Sequence, residues 1–393
     1  MEFGRLLNQA GHLSALALKD GLEGAQKALL EAILQERRED GHLLYRRWGG
    51  YFRTFYTKLG EVTLWAQRVR HRETGETFAP LLRALGLGKR RYTPELRLGC
   101  AELATRTSYE EAAQAVERIL HFRIPRRTIW NFVQEFARVV RSQLGRSSPP
   151  SPERVLTQTH STDSTFVRGR KRRQQLEVHV AVTQGQDHRV QFEAVRVGGR
   201  PGAVLEGQEV QRLVTDDAPG LRAIEAEIQA LCHVHFARHL ADLLGEEGIG
   251  LAEREEVVRP VRGLLSHLRN SVEAHRGDGG GGAVRYRVQV TLEELGALGH
   301  RLQEGGCPRS AGFVLRELRA LVVFAEVGGG LWMSATTNGV ERVMGMLAHR
   351  CKRAWAHWGS GLENMAVVLL TRKLRPKVYG PATRRYLRSG GYQ

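Results

Sequence analysis

The first part of the chain changes from helical to strand periodicity. Apolar side chains at helical spacing predict a helix over residues 22–38. Segments 52–58 and 61–69 have the alternation and aromatic content of strands, and Leu59-Gly60 between them predicts a turn. We therefore predict a small α+β module over residues 1–90.

Residues 91–145 have helical periodicity throughout. One apolar face follows Thr107 and Glu110, which have the spacing of a capping box, and a second face runs through residues 126–140. Two helices with a short connection predict a helix-turn-helix, whose second helix would point its first residues at DNA bases. The outward positions there are Arg126, Arg127, Thr128 and Asn131. The alternative is a plain helical hairpin, and the arginine pair favours DNA binding.

The alternation of strands and helices begins after a predicted linker at 146–152, in the segment 153–236. Strands are predicted over 159–169, 175–185, 188–198, 212–216 and 232–236, and helices over 204–211 and 220–231. Three strands, a helix, a strand, a helix and a strand form the order of the ribonuclease-H-like fold. In that fold the first and fourth strands lie side by side.

The remaining sequence is mostly helical. We expect residues 237–330 to form an all-helical insertion with a flexible glycine-rich loop at 276–282, and residues 331–375 to complete the core with a helix that begins at 338. Residues 376–393 are predicted to be a basic tail. We interpret the cations near this end as non-specific phosphate contacts or disordered chain: Arg372, Lys373, Arg375, Lys377, Arg384 and Arg385.

Acidic residues lie on the two strands that such a fold places side by side. Asp163 lies on the first strand and Asp216 ends the fourth, with Glu341 as the candidate third acid. Carboxylate oxygens suit Mg²⁺, and two such ions promote phosphodiester cleavage. Spacing alone leaves simpler roles open, because strand-end aspartates often form turns and Asn338 has capping-box spacing to Glu341. Asp217 is an alternative second acid, although it should point to the opposite face.

Charge and cysteine content narrow the class of protein. The 393 residues include 59 Lys and Arg against 42 Asp and Glu, a net charge of +17, which attracts polyanions such as DNA. We find no apolar run long enough for a membrane span and no signal peptide. The four cysteines are scattered, which argues against a disulfide scaffold or a zinc ribbon. We expect a cytoplasmic protein that is nucleoid-associated when bound to DNA.

Two further groups of residues have a chemical and a plainer interpretation. A basic run after the first strand would either bind backbone phosphates or form solvated surface: Arg168, Arg170, Lys171, Arg172 and Arg173. The cluster Cys232, His233, His235 and His239 suggests zinc, but no second Cys or His pair has ligand spacing. We prefer a structural role, or a role beside the acids, for Cys232 and His235.

Three strings resemble bacterial insertion-sequence transposases of the Mutator-like DDE type. TDSTFVRGR (162–170) is similar to the family's first-aspartate strand. LVTDDAPGLRAIEAEI (213–228) is similar to the second-acid segment, and CHVHFARHL (232–240) to the Cys-x-x-His element that follows it. TTNGVERVMGMLAHRCKR (336–353) resembles the helix that carries the third acid. Asp217 departs from the glycine expected there, and the extreme N-terminus and basic tail match nothing in the family.

This resemblance implies a DNA transposase that cuts transposon ends and joins them to target DNA. Asp163, Asp216 and Glu341 would be its catalytic residues and would bind Mg²⁺, for which Mn²⁺ could substitute. Supporting or structural roles fall to Cys232, His235, Arg238, Asn338 and Arg342. The implied partners are double-stranded DNA, as terminal inverted repeats and target, and further copies of the chain in a homo-oligomer on DNA, with no membrane. The alternatives are a non-catalytic DNA-binding derivative and a ribonuclease-H-like nuclease without strand transfer.

Overall fold

The computed structural model describes residues 2–145, 158–171, 173–275, 281–327, 333–353 and 356–389. The predicted linker at 146–152, Arg172 and most of the predicted glycine-rich loop lie outside these residues. The protein is mixed α/β and separates into two compact units, one formed by Met1–Ser147 with Asn364–Gln393 and the other by Ser148–Glu363. In the described parts of the chain, no helix has both the length and the apolar character needed to cross a membrane.

The elements up to residue 145 are α1 (Glu2–Leu34), β1 (Tyr45–Thr57), β2 (Gly60–His71), β3 (Thr77–Phe78), α2 (Pro80–Ala84), α3 (Pro94–Ala104), α4 (Tyr109–Leu120) and α5 (Arg126–Leu144). From residue 158 they are β4 (Thr159–Arg168), β5 (Gln175–Gln184), β6 (Val190–Val197), a 3₁₀ turn (Pro201–Leu205), β7 (Arg212–Thr215), α6 (Pro219–Arg222), β8 (Ile228–Leu231), α7 (His233–Glu246), α8 (Leu251–Ala274), α9 (Gly281–Glu304), α10 (Pro308–Glu326), α11 (Asn338–Cys351), α12 (Leu362–Leu374) and α13 (Pro376–Arg388).

The first unit begins with an antiparallel sheet of order β1-β2-β3. The predicted hairpin is confirmed, with Thr57 opposite Gly60 and a register shift near the far end between Arg47 and Gly50. Alternate side chains of β2, such as Val62 and Leu64, are buried in a core with α1 and α2. The other face of the hairpin is left at the surface.

Helices α3, α4 and α5 follow, as the helical periodicity predicted. The capping box of α4 lies one residue later than expected: Ser108, not Thr107, accepts the amide of Glu111, not Glu110. Both pairs have the required spacing, and the chain adopts the one whose first residue directly precedes the helix.

The core of this helical region contains a buried ion pair and the final helix. Arg97 of α3 is 1% exposed and donates to Glu135 of α5 at 2.7 Å. Tyr386 of α13 packs edge to face on Phe136, with ring centroids 5.2 Å apart. The tail predicted as phosphate contacts or disordered chain therefore forms an amphipathic helix over most of its length.

The second unit is built on a five-stranded sheet of order β6-β5-β4-β7-β8. Strands β4, β5 and β6 are antiparallel, while β4, β7 and β8 are parallel. The first four predicted strands are confirmed, and the first and fourth lie side by side as expected. Strands β5 and β7 are buried along most of their length because helices cover the sheet.

The prediction was wrong between residues 204 and 236. The expected helix at 204–211 is a 3₁₀ turn that ends at Leu205. The expected helix at 220–231 is one short turn, α6, followed by strand β8, and the expected strand at 232–236 is the start of helix α7. Parallel pairing of β8 with β7 overrides the helical spacing of the apolar residues in this segment.

The predicted helical insertion is present as α7 to α10, whose apolar faces enclose a core that includes Leu240, Val258, Leu295 and Val314. The chain then returns to the sheet, where α11 packs on β4 and β5. A Cβ atom on Gly339 would lie 3.0 Å from Gln184 Oε1, so the glycine allows the start of α11 to approach the sheet closely.

Candidate active site

Two predicted acids lie at the same level of neighbouring strands. In the parallel pairing of β4 with β7, His160 is opposite Leu213 and Ser161 is opposite Val214. The same offset takes Asp163 to Asp216, which directly follows the last residue of β7. The parallel register therefore brings the two aspartates side by side where β7 ends.

Backbone amides hold one oxygen of each aspartate. The amide of Ser164 donates to Asp163 Oδ1 at 2.7 Å, and the amide of Ala218 donates to Asp216 Oδ1 at 3.0 Å. Asp216 therefore also organises the turn that leads into α6, as the simpler interpretation expected. Both side chains are half-buried, so Asp216 can form this turn and still reach a ligand with its other oxygen.

The third predicted acid enters on α11 and is fixed by a residue that the sequence interpretation missed. Thr337, not Asn338, occupies the N-cap position, and no side chain caps this helix, so the capping-box alternative for Asn338 and Glu341 is wrong. Thr337 Oγ1 instead donates to Glu341 Oε1 at 3.0 Å. Thr337 is 1% exposed, whereas the Glu341 side chain is 36% exposed, so a buried hydroxyl holds a carboxylate that solvent can reach.

Thr337 also contacts the Cys-x-x-His element at the start of α7. Its amide and hydroxyl lie 3.3 Å from Cys232 Sγ, and its hydroxyl lies 3.2 Å from His235 Nδ1. His235 Nδ1 is 3.7 Å from Glu341 Oε1. Among the described residues, the ligand atoms of Cys232, His235 and Glu341 lie within 4.8 Å of one another, and Asp163 and Asp216 are not members of that group.

The charges of Asp216 and Glu341 both act on Asp163. Burial raises the pKa of Asp163, and the negative charges of Asp216 and Glu341 raise it further, while His235 lowers it. A hydrogen bond with Cys232 raises the pKa of His235, as do the nearby charges of Glu341 and Asp216. The site combines crowded carboxylates with a histidine whose raised pKa favours the protonated ring. It therefore stabilises added positive charge.

Asp217 has a different environment from its neighbour Asp216. Its carboxylate contacts His239 Nδ1, and its carbonyl oxygen accepts from Arg222 Nε at 3.2 Å. The ring of His239 packs on Phe313 at 4.6 Å between centroids. Asp217 therefore joins β7 to the helices of the insertion, whereas Asp216 is coupled to Asp163.

His233 is a buried structural residue. Its Nε2 donates to the carbonyl of Leu321 at 2.8 Å and its Nδ1 accepts from Arg269 at 3.0 Å, an arrangement that requires the neutral ring. Burial lowers its pKa to about 4. Since His239 contacts Asp217, the four residues predicted as alternative zinc ligands divide between three environments.

The predicted phosphate-binding side chains lie at the surface. Arg168, Arg170, Lys171 and Arg173 are exposed around the end of β4. The residues predicted to support the acids or to be structural on α7 and α11 are also exposed: Arg238, Asn338 and Arg342. Arg170 packs over Gly359, where a Cβ atom would lie 3.0 Å from its Nε. The loop after β4 is therefore held beside the segment that follows α11.

The predicted helix-turn-helix residues lie at the start of α5. Arg126, Arg127 and Asn131 are exposed and Thr128 is half-buried. Arg127 stacks over Trp130 at 4.0 Å, and Arg126 lies 3.8 Å from Glu110. These side chains form a cationic rim at one end of the helical region.

No family model and no curated protein matches the sequence.

Proposed function

We propose that the protein is a DNA transposase of the Mutator-like DDE type, which cuts transposon ends and joins them to target DNA. The observation that carries the proposal is the β4–β7 register that sets Asp163 beside Asp216, with Glu341 of α11 close enough that its charge, like that of Asp216, raises the pKa of Asp163. These side chains are distant in sequence and are brought close together beside the end of β7. Their order along the chain, and the short sequences around them, resemble those of the transposase family.

The architecture supports a ribonuclease-H-like core for this site. Three antiparallel strands, a 3₁₀ turn, a strand, a short helix and a strand follow one another from Thr159 to Leu231. The first and fourth of these strands are neighbours, which is the arrangement that such a core needs. The helices α7 to α10 separate the second acid from the third, as an insertion in that core would.

The donor set suits a hard divalent cation. Asp163, Asp216 and Glu341 offer carboxylate oxygens, the ligands that Mg²⁺ and Mn²⁺ prefer. Burial raises the pKa of Asp163 most, and the charges of Asp216 and Glu341 raise it further, a repulsion that a cation would relieve. These three residues would hold the metal. When bound, it would supply Lewis-acid activation of the attacking oxygen and charge stabilisation of the leaving oxygen.

The surrounding side chains position the acids and the DNA. Thr337 Oγ1 orients Glu341 by hydrogen bonding, and the amides of Ser164 and Ala218 orient the two aspartates. The exposed Arg168 at the end of β4 and Arg170 after it would bind backbone phosphates. The start of α5 would read the duplex in the major groove, and the net charge of +17 would add salt-dependent affinity.

The test is cleavage of duplex DNA that carries the flanks of the gene, with Mg²⁺, Mn²⁺ or EDTA. Wild type should cut only with metal, and a product with target DNA joined to the new 3′ end separates transposition from simple hydrolysis. Asp163→Asn, Asp216→Asn and Glu341→Gln should each bind the duplex and fail to cut. Metal-independent binding by wild type without any cutting would instead identify a non-catalytic DNA-binding protein.

One observation favours a second candidate, a zinc-binding site. Cys232, His235 and Glu341 bring sulfur, nitrogen and oxygen ligands within 4.8 Å of one another, a set that suits zinc better than magnesium. Elemental analysis of the purified protein decides between the two. Stoichiometric zinc that is lost in Cys232→Ser supports this candidate, and protein without zinc that cuts with Mg²⁺ contradicts it.

A further inference from the structure

The outer face of the β1–β2 hairpin carries exposed aromatic side chains. Phe52 and Trp65 are cross-strand partners whose rings meet edge to face, with centroids 5.0 Å apart. They are 74% and 44% exposed, although the opposite face of the same strands is packed on α1 and α2. The fold therefore does not require these two rings to cover its core.

Stacked guanidinium groups continue this surface towards the other end of the hairpin. Trp48, which is 39% exposed, has Arg46 at 4.8 Å and Arg70 at 4.5 Å from its ring. The register shift between Arg47 and Gly50 supplies the extra residues that include Trp48.

The backbone is shaped to seat the Trp65 indole. A Cβ atom at Gly50 would lie 2.6 Å from Trp65 Nε1, so only glycine lets the ring lie across the neighbouring strand at this point. The orientation of the indole is thus set by the strand pair.

The hairpin is strongly basic, and Arg46 and Arg70 lie beside Trp48 on its aromatic surface. Between residues 45 and 72 the sole acidic residue is Glu61, beside seven cations: Arg46, Arg47, Arg53, Lys58, Arg68, Arg70 and Arg72. Aromatic faces alternating with cations are complementary to a polyanion that carries flat rings.

We propose that this face binds an unpaired DNA strand, with bases stacked on Phe52, Trp65 and Trp48 and with phosphates held by the neighbouring arginines. A duplex hides the faces of its bases, so flat rings on a sheet surface select bases that are already unstacked. The proposal rests on the proposed function in one respect, that the substrate is DNA whose ends are opened during cutting and joining.

The experiment measures binding of the full chain in EDTA, so that no cutting intervenes. Fluorescence anisotropy compares a labelled single strand of DNA, its duplex, and RNA of the same sequence. Trp65→Ala and Phe52→Ala should each weaken binding of single-stranded DNA by between about fivefold and about a hundredfold, as loss of one stacking partner does, and leave duplex binding unchanged.

Matched variants separate stacking from folding. Trp65→Phe keeps a stacking ring and should retain most of the affinity, and Tyr286→Ala removes an aromatic side chain that is 67% exposed on α9 and should change nothing. Equal thermal midpoints of Trp65→Ala and Trp65→Phe show that a loss of binding is not unfolding.

Several outcomes overturn the proposal: single-strand affinity that is unchanged in Trp65→Ala and Phe52→Ala, equal weakening of duplex binding, or preference for RNA. Metal-dependent cutting of duplex ends is measured separately. If cutting works and the hairpin variants have no effect, only this proposal fails. If the hairpin selects single strands and no cutting occurs, only the proposed function fails.

Discussion

Asp163 and Asp216 are brought to the same level by the register of two parallel strands, although 52 residues separate them in the chain. Their relative position depends on main-chain pairing, and an amide hydrogen bond anchors each carboxylate. Substitutions that preserve the strands should therefore change the chemistry of the site and leave its framework intact.

Asp216→Asn and Asp217→Asn form a matched pair of adjacent variants. We expect Asp216→Asn to lower metal-dependent cleavage by at least about a hundredfold. Changing a residue that only supports a metal ligand lowers activity by about ten- to a hundredfold, and loss of the ligand itself should lower it more. Asp217→Asn weakens the contact with His239 and should mainly lower stability. Cleavage rates and urea midpoints for both variants check this, and greater loss of cleavage in Asp217→Asn would assign the second acid to that position.

Thr337→Val should disturb the site from a residue that binds no metal. The change removes a buried hydroxyl that contacts Cys232, His235 and Glu341, at a cost of about 1–3 kcal/mol in the free energy of unfolding. Cleavage should fall about ten- to a hundredfold because Glu341 loses its orienting partner. Thr337→Ser keeps the hydroxyl and should restore both properties, and equal cleavage by the valine and serine variants would contradict this role.

Two glycines of α11 give opposite predictions for the same substitution. Gly345 has no atom within 4 Å of an added Cβ, so Gly345→Ala should raise the free energy of unfolding by about 0.5–1 kcal/mol. At Gly339 the added Cβ would meet Gln184 and Val190 at 3.0 and 3.2 Å. Gly339→Ala should lack the gain and lower cleavage by displacing Glu341. Calorimetry and cleavage assays check both, and equal stabilisation by the two variants would show that this close approach is not a constraint.

His233 should make stability depend on pH. Its pKa is about 4 in the folded protein against an ordinary value of 6.5, so between these values the unfolded chain binds a proton that the folded chain does not. Stability is thus full above about pH 6.5 and falls as the pH drops towards 4, by about 3 kcal/mol in total. His233→Gln keeps a donor towards Leu321 and removes the titration. Urea unfolding across this pH range should give a smaller decrease for the variant, and identical pH profiles would disprove the assignment.

The parts of the fold that the sequence predicted are those where local pattern and tertiary structure agree. Strands β4, β5 and β6 lie within two residues of their predicted bounds, and the hairpin turn at Gly60 has a glycine at φ +126°. Ile228–Leu231 was predicted as helix because its apolar residues continue a helical spacing. Long-range parallel pairing with β7 decides the structure there, and no local pattern records it.

The candidate site was predictable to a similar extent. Its acids are recognisable in sequence because Asp163 lies on a predicted strand, Asp216 follows another and Glu341 lies in the first turn of a helix, and the resemblance gives their order. The hydroxyl of Thr337 has no such signal, since only the approach of α11 to the start of α7 brings it to Cys232 and His235. Likewise, the separation of Asp216 from Asp217 depends on His239, which lies on another element.

The packing of Tyr386 against Phe136 has a consequence for synthesis of the protein. A ribosome releases Phe136 long before it reaches α13, so the first unit stays incomplete while the whole acid-bearing unit emerges. A frameshift after residue 375 would preserve Asp163, Asp216 and Glu341 and yet expose the buried face of α5. Loss of α13 would thus first damage the unit proposed to recognise DNA.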